Sequence, residues 1–295
     1  MLSYCEGNES YERKIEMNIE RQIEFDKVKE LWVELAMTDW AKEKIREAAI
    51  YLSETELKRK LKDTTDARFL IEKLGTPPLQ NMTELKEILL IAEKGDCLTP
   101  YQLERVEKVL VVIKRLKDYL ARGKMYENTL GYYEENLDDI SELRQEICNK
   151  IRNGGVDDYA SKELEQIRKQ IIKCEEQMKQ KAEQILRSNK EYMADNYCTF
   201  RNGRICLPVK KDYKLKISGS VIDKSSTGNT LFVEPSSVAK HYEELQMLKI
   251  SEQNEVYNIL YTLSAFVLAS APVLHADLEM VERLVSAPPT PRGAP

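Results

Sequence analysis

His241 and His275 are the only two histidines in this 295-residue chain, so imidazole chemistry of any kind must use one of them. A His-based metal site, or a Ser/His/Asp or Cys/His nucleophile, would need partner residues at matching spacing. Both histidines lie in helix-like sequence with no such spacing around them, which reads as ordinary surface or core histidine. A phosphate-wrapping loop needs two glycines five apart followed by Lys and Ser/Thr, so that backbone N–H groups and the lysine enclose the phosphate. At Gly123-Lys124, Asp118 stands where the first glycine belongs and Met125 follows the lysine. Gly219 and Gly228 are nine apart, with Asn229 after the second. Asp138-Asp139 and Asp157-Asp158 could be drawn as acid–base pairs. Among 50 carboxylates such pairs arise by chance, and beside turn-like residues they read as helix-end charge. The sequence therefore predicts no catalytic residue, no metal ligand set and no cofactor bound by the chain itself.

The chemistry that remains is charge. Between Lys190 and Lys216 the chain carries seven cations (Lys190, Arg201, Arg204, Lys210, Lys211, Lys214 and Lys216) against Glu191, Asp195 and Asp212, a local +4 in a chain of net charge -5. A tip that touches phosphates is one reading. A lysine-rich edge that discourages strand aggregation is the other. No aromatic ladder is interleaved with these cations, so backbone contact is expected ahead of base stacking. Six phosphate contacts would give a log–log salt slope of roughly -5 on duplex, and a fraction of them less.

The elements that must position this tip are mostly helical. Hydrophobic residues make up 42% and charged residues 32%, with few aromatics, and this mixture suits a mainly α, water-exposed protein. Ser53-Glu54-Thr55-Glu56 fits a capping box, and that helix is expected to stop at Gly75 before Pro77-Pro78. Thr99-Pro100-Tyr101-Gln102 repeats the start signal with proline at the first helical position, and Leu103, Val106, Leu110, Ile113 and Leu116 then form one buried stripe. Leu137, Ile140, Leu143, Ile147 and Ile151 space by three and four until Asn153-Gly154-Gly155 interrupts them. A heptad seam follows in Leu164, Ile167, Ile171, Cys174, Met178 and Ile185. A second runs through Leu245, Leu248, Val256, Ile259, Leu263 and Phe266. One helix over 236–269 would extend about 50 Å, antiparallel to the first, with the intervening segment at their far end. In that segment Asn202-Gly203 lies between alternating residues and predicts a type I′ hairpin with Arg201 opposite Arg204 and Thr199 opposite Cys206. Strands are expected at Lys216 to Ile222 and at Thr230 to Val233, around the turn Ser225-Ser226-Thr227-Gly228-Asn229.

The six cysteines (Cys5, Cys97, Cys148, Cys174, Cys198 and Cys206) form no CxxC pair and read as free thiols of a cytoplasmic protein. The longest uncharged apolar stretch, Tyr261 to Ala276, carries Thr262, Ser264, Ser270, Pro272 and His275. It falls short of the ~20 residues of a spanning helix, and the acidic first fifteen residues do not read as a signal peptide.

The segment Thr199-Phe200-Arg201-Asn202-Gly203-Arg204 with Leu207-Pro208-Val209-Lys210, followed by the run from Asp223 to Pro235, resembles the clamp of the second bacterial MutS subfamily, the branch without mismatch-reading N-terminal domains. Other stretches agree in order: Glu24 to Lys29, Pro77-Pro78-Leu79, Ala92-Glu93-Lys94-Gly95 before Leu98-Thr99-Pro100, and Ala160-Ser161-Lys162-Glu163-Leu164. The similarity covers about residues 20–285. It implies a mainly α fold: a flexible N-terminus at 1–14, a helical core at 15–130, a rising lever at 131–190, a small antiparallel β clamp at 191–235, a return lever helix at 236–270 and the start of a second core segment at 271–285. A Pro-rich, disordered tail is expected at 286–295. Complete members of that subfamily continue into an ABC-type ATPase that uses ATP and Mg and dimerises, and often into a C-terminal Smr nuclease. No residue here matches those motifs, so the chain reads as a truncated member whose homodimer is weakened by the missing ATPase.

The resemblance implies gripping of branched DNA or of the ribosome and its RNA, in recombination suppression or in rescue of collided ribosomes, with no membrane partner. Arg201, Arg204, Lys210, Lys211, Lys214 and Lys216 are then the expected nucleic-acid contacts, and Asn202, Gly203 and Gly228 the clamp turns. A coiled-coil scaffold that recruits a protein partner, and a non-functional fragment, are the alternatives.

Overall fold

The computed structural model describes residues 22–35, 39–48, 53–80 and 82–285. The segments read as a flexible start (1–14) and a Pro-rich tail (286–295) lie outside the described residues. The chain divides into two compact units, Met1–Cys148 with Leu263–Pro295, and Asn149–Thr262. The fold is mainly α with small antiparallel sheets.

In the first unit, helices α1 (Phe25–Leu35) and α2 (Asp39–Glu47) pair with each other, and α3 (Glu54–Leu74), α4 (Thr83–Glu93) and α5 (Pro100–Lys124) follow. Helix α5 starts as its sequence dictates. The Gln102 N–H donates to Thr99 Oγ1 at 3.3 Å and the Thr99 N–H donates to Gln102 Oε1 at 2.8 Å, closing the capping box with Pro100 in the first turn. The expected stripe is the core: Leu103, Val106, Leu110, Ile113 and Leu116 are all buried. Helix α3 begins after Ser53 as expected, but the Ser53 side chain makes no capping bond, so the predicted box is a boundary signal without its hydrogen bonds. It stops at Gly75, whose φ of +81° has no steric cost for glycine, and the Tyr119 hydroxyl donates to the Gly75 carbonyl at 2.9 Å. A 3₁₀ helix, Thr129–Asn136, packs so closely on α5 that a Cβ at Gly131 would lie 2.6 Å from the Lys124 nitrogen. Helix α6 (Ser141–Lys150) buries Leu143 and Ile147.

In the second unit, the Asn153-Gly154 interruption is itself a two-residue hairpin turn, with φ of +53° and +72°. It joins β1 (Ile151–Arg152) to β2 (Gly155–Val156). Helix α7 (Lys162–Ser188) is capped by Ser161, whose hydroxyl accepts from the Leu164 N–H at 3.0 Å. Strands β3 (Thr199–Arg201), β4 (Arg204–Lys210), β5 (Gly219–Lys224) and β6 (Thr230–Pro235) form one antiparallel sheet in the order β3-β4-β6-β5. Its first hairpin has the predicted register, Arg201 opposite Arg204 and Thr199 opposite Cys206, on an Asn202-Gly203 turn with φ of +51° and +76°. The strand expected from Lys216 starts three residues later instead. Lys211–Lys216 is a 3₁₀ helix, and extended pairing begins at Gly219. Glycine is required there because a Cβ would lie 2.1 Å from the Glu234 carbonyl oxygen.

The last helix, α8 (Ser236–Val285), runs past the expected end at 269 and continues through Pro272. By length and composition it could cross a membrane. Yet Leu263, Val267, Ala271, Leu274, Leu278 and Val281, spaced by three and four, are buried in the first unit, as a core helix requires. Ser264 is buried with them and its hydroxyl accepts from the Leu98 N–H at 2.8 Å.

Asp277 on α8 is 1% exposed. The Asp138 N–H donates to its Oδ1 at 3.0 Å, while Oδ2 has no hydrogen-bond partner. Burial raises its pKa from 3.8 to about 7. Folding therefore takes up a proton between these values. The stabilisation is complete below the lower one and is lost as the pH rises through the upper one, a cost of at most about 4 kcal/mol. Asp277→Asn keeps the acceptor for Asp138 without the charge. It is expected to raise the thermal midpoint more at pH 8 than at pH 5, measured by circular dichroism melts at both.

Candidate nucleic-acid interface

The clamp is held by two adjoining clusters. Cys174, Met178 and Ala182 of α7 meet Ile205, Val238 and Leu245, joining the two arm helices to β4. Leu186, Met193, Leu207, Val209, Ile217 and Val233 form the core between the end of α7 and the sheet. Polar contacts set the register of the arm. The Arg168 Nε donates to Glu252 at 2.8 Å and its Nη1 to the Val156 carbonyl at 3.1 Å, with Asp158 also paired to it. The Ser161 hydroxyl donates to Glu255 at 2.6 Å.

On this frame the six sequence-predicted cations separate into two groups. Arg204 and Lys210 are opposite ends of β4, about 20 Å apart along a strand rising 3.3 Å per residue. At the hairpin end the arginines are already engaged. Arg204 pairs with Glu234 at 2.5 Å and stacks 4.4 Å over the Tyr242 ring. Glu234 is 1% exposed, so its charge needs that guanidinium, and the bond holds the Arg204 pKa above its ordinary value. Arg201 stacks 4.4 Å over Phe232 and lies 3.7 Å from Asp223.

The lysines are differently placed. Lys210 is exposed and donates to the Glu191 carbonyl at 3.0 Å. Lys211, Lys214 and Lys216 are exposed on the 3₁₀ helix, and among the described residues no carboxylate lies within ion-pair distance of them. Lys211 and Lys214 fall on one edge of that helix, because three residues make a turn. Leu215, between two of these lysines, is 96% exposed. The register Lys210 opposite Thr230 and Lys224 opposite Leu231 brings Lys224, which the sequence reading passed over, to the same end of the sheet. There the turn at Gly228 is tied by its N–H to the Ser225 carbonyl at 2.8 Å.

Sequence reasoning also missed a groove. Lys179, Glu183, Arg187 and Lys190 of α7 and its C-terminal end line a depression of about 620 Å³ with Tyr197 and Phe200. Both aromatic rings are well exposed, at 61% and 63%. The aromatics are not interleaved with cations in sequence, but the chain turns back onto the helix through Tyr197 and β3 and interleaves them in space. Cys198 lines the same groove, and its thiol pKa is pushed up by burial. Cys206, deeper, is pushed up to about 11, so both thiols are poor nucleophiles.

No family model matches the chain. Over 267 residues, 90% of its length, it is 33% identical to the protein named Endonuclease MutS2 of Clostridium perfringens. It is 32% identical over 270 residues to the Clostridium botulinum protein of that name, and 33% over 250 residues to that of Clostridium beijerinckii. The chain is similar to these MutS2 proteins along most of its own length. The aligned part is 34% of the Clostridium perfringens protein, so the chain spans about a third of the length of the MutS2 relatives it matches. The MutS2 similarity takes in both compact units, since either alone is far shorter than the aligned span.

The two groups of cations predict different losses. Arg204→Gln would leave Glu234 buried and unpaired. It is expected to lower stability by about 2 kcal/mol, less than for a fully buried pair because Arg204 is itself 36% exposed. Lys214→Gln is expected to change stability by less than about 0.5 kcal/mol. Urea midpoints at constant m-value separate the two.

Proposed function

We propose that the chain is the nucleic-acid-gripping part of a MutS-type protein, with the clamp as its contact surface and branched DNA or ribosomal RNA as its ligand. The observation that carries this reading is the 3₁₀ helix: Lys211, Lys214 and Lys216 are exposed, with no ion-pair partner among the described residues, around a Leu215 that is 96% exposed. Unpaired cations release counterions when they meet phosphates, and an apolar tip between them suits a base or sugar face. Lys210 and Lys224 extend the surface, whereas Arg201 and Arg204 hold the clamp together. Tyr197 and Phe200, with Lys179 and Lys190 beside them, offer unstacked bases a platform. The relatives carry the name endonuclease, and ATP-driven or nuclease chemistry has no residues assigned to it in this chain. A role in recombination suppression or in rescue of collided ribosomes follows from which ligand the clamp prefers.

A second reading, a coiled-coil scaffold, has its own support. Met247, Ile250, Tyr257 and Tyr261 on α8 are each at least 50% exposed and repeat at heptad spacing, with Asn254 completing the stripe.

Fluorescence anisotropy at two salt concentrations against duplex DNA, a four-way junction and a structured RNA tests the first reading. Replacing Lys211, Lys214 and Lys216 by Gln should cut the salt slope by about 3, while Tyr197→Ala with Phe200→Ala should weaken only ligands with unpaired bases. A folded chain with no salt-sensitive binding sinks the clamp reading. Sedimentation equilibrium showing self-association lost in Met247→Glu would then favour the scaffold.

A further inference from the structure

One cluster of ligating atoms has no part in the clamp surface. Cys174 on α7 faces the first turns of α8, where His241 and Glu244 are three residues apart on one side of the helix. One ligand atom from each of the three lies within 4.8 Å of the other two. His241 Nδ1 is buried and has no hydrogen-bond partner, an unusual condition for a ring nitrogen away from water. Its nearest carboxylate oxygen, Glu244 Oε2, is 3.6 Å away, too far for a hydrogen bond. It is close to the separation of about 3.3 Å that two ligand atoms keep around one tetrahedral zinc ion. The Cys174 thiol is itself unspent on any side chain and points its proton at the His241 carbonyl, 3.3 Å away. His241 and Glu244 alone show no ligand motif in the sequence, because the third ligand comes from a helix 67 residues earlier.

We propose that Cys174, His241 and Glu244 form a metal site for a borderline divalent ion of the zinc class. Sulfur, imidazole nitrogen and carboxylate oxygen together select such an ion over magnesium or calcium, which take oxygen alone. Three protein ligands leave a fourth position, on the side of the exposed Glu244, for water. Binding displaces the thiol proton to solvent and forms a thiolate–metal bond, so no oxidant or reductant is involved. The ion would bridge α7 and α8 immediately below the sheet, beside the Cys174–Val238–Leu245 cluster, and stiffen the arm that carries the clamp.

The test uses the chain stripped with a chelator and titrated with Co²⁺ alone, then with Zn²⁺ in competition. The expected result is one equivalent of Co²⁺ with a thiolate-to-cobalt charge-transfer band, displaced by Zn²⁺ and absent in Cys174→Ser. Glu244→Gln, at an exposed position that folding does not depend on, should weaken binding at least about tenfold, since even outer partners of metal ligands contribute that much. No charge-transfer band in a chain that is folded by circular dichroism overturns the proposal. So does a band that survives in Cys174→Ser, which would place the metal on another cysteine. If Cys174→Ser does not fold, Glu244→Gln decides: undiminished affinity there overturns the three-ligand site.

Discussion

The seam between α7 and the first half of α8 is the contact on which the clamp depends. The sheet is four short strands wide, and its apolar face must be buried against a second layer. It acquires a core by setting Leu207, Val209 and Val233 against Leu186 and Met193, and Ile205 against Cys174, Met178 and Ala182. Apolar seams alone permit sliding by a turn. Arg168 and Ser161, reaching across to Glu252 and Glu255, allow one alignment only, because any other leaves these half-buried groups without partners.

Much of this was legible in the residues. Period and punctuation found α5, whose stripe and capping box are both formed, and Asn202-Gly203 specified the hairpin with its pairing. The same dipeptide at 153–154 signalled a second hairpin, which reads as a mere interruption because its strands are two residues long and carry no alternation. The segment after Lys210 misleads for a different reason. Alternating Lys and apolar residues at 214–217 imitate a strand, but Ile217 is drawn into the core beneath the sheet, which curls the preceding residues into a 3₁₀ helix. The last helix was expected to stop near 269, yet it runs on through Pro272 because the apolar face on both sides of that residue is buried in one core, and that burial outweighs one missing N–H.

The candidate site was legible as a charge and not as an arrangement. Counting cations between 190 and 216 locates the tip. Which of them are free depends on Glu234 and Asp223, carboxylates from strands that pair late in the sequence. The groove of Tyr197 and Phe200 is likewise a product of chain reversal, since Lys179 and Arg187 belong to α7, Lys190 follows its end, and the aromatics lie on the segment that doubles back through Tyr197 into β3.

The Arg204–Glu234 pair has a consequence for how the sheet assembles. β4 and β6 are buried along most of their length, and an apolar face by itself does not distinguish the correct pairing from one displaced by two residues. Displacing one strand along the other, however, strands a carboxylate in a dry interior with no counter-charge and turns side chains to the wrong face. The ion pair thus acts as a lock that closes only on the correct alignment. It penalises mis-threaded sheets while they form, before the clamp has anything to hold.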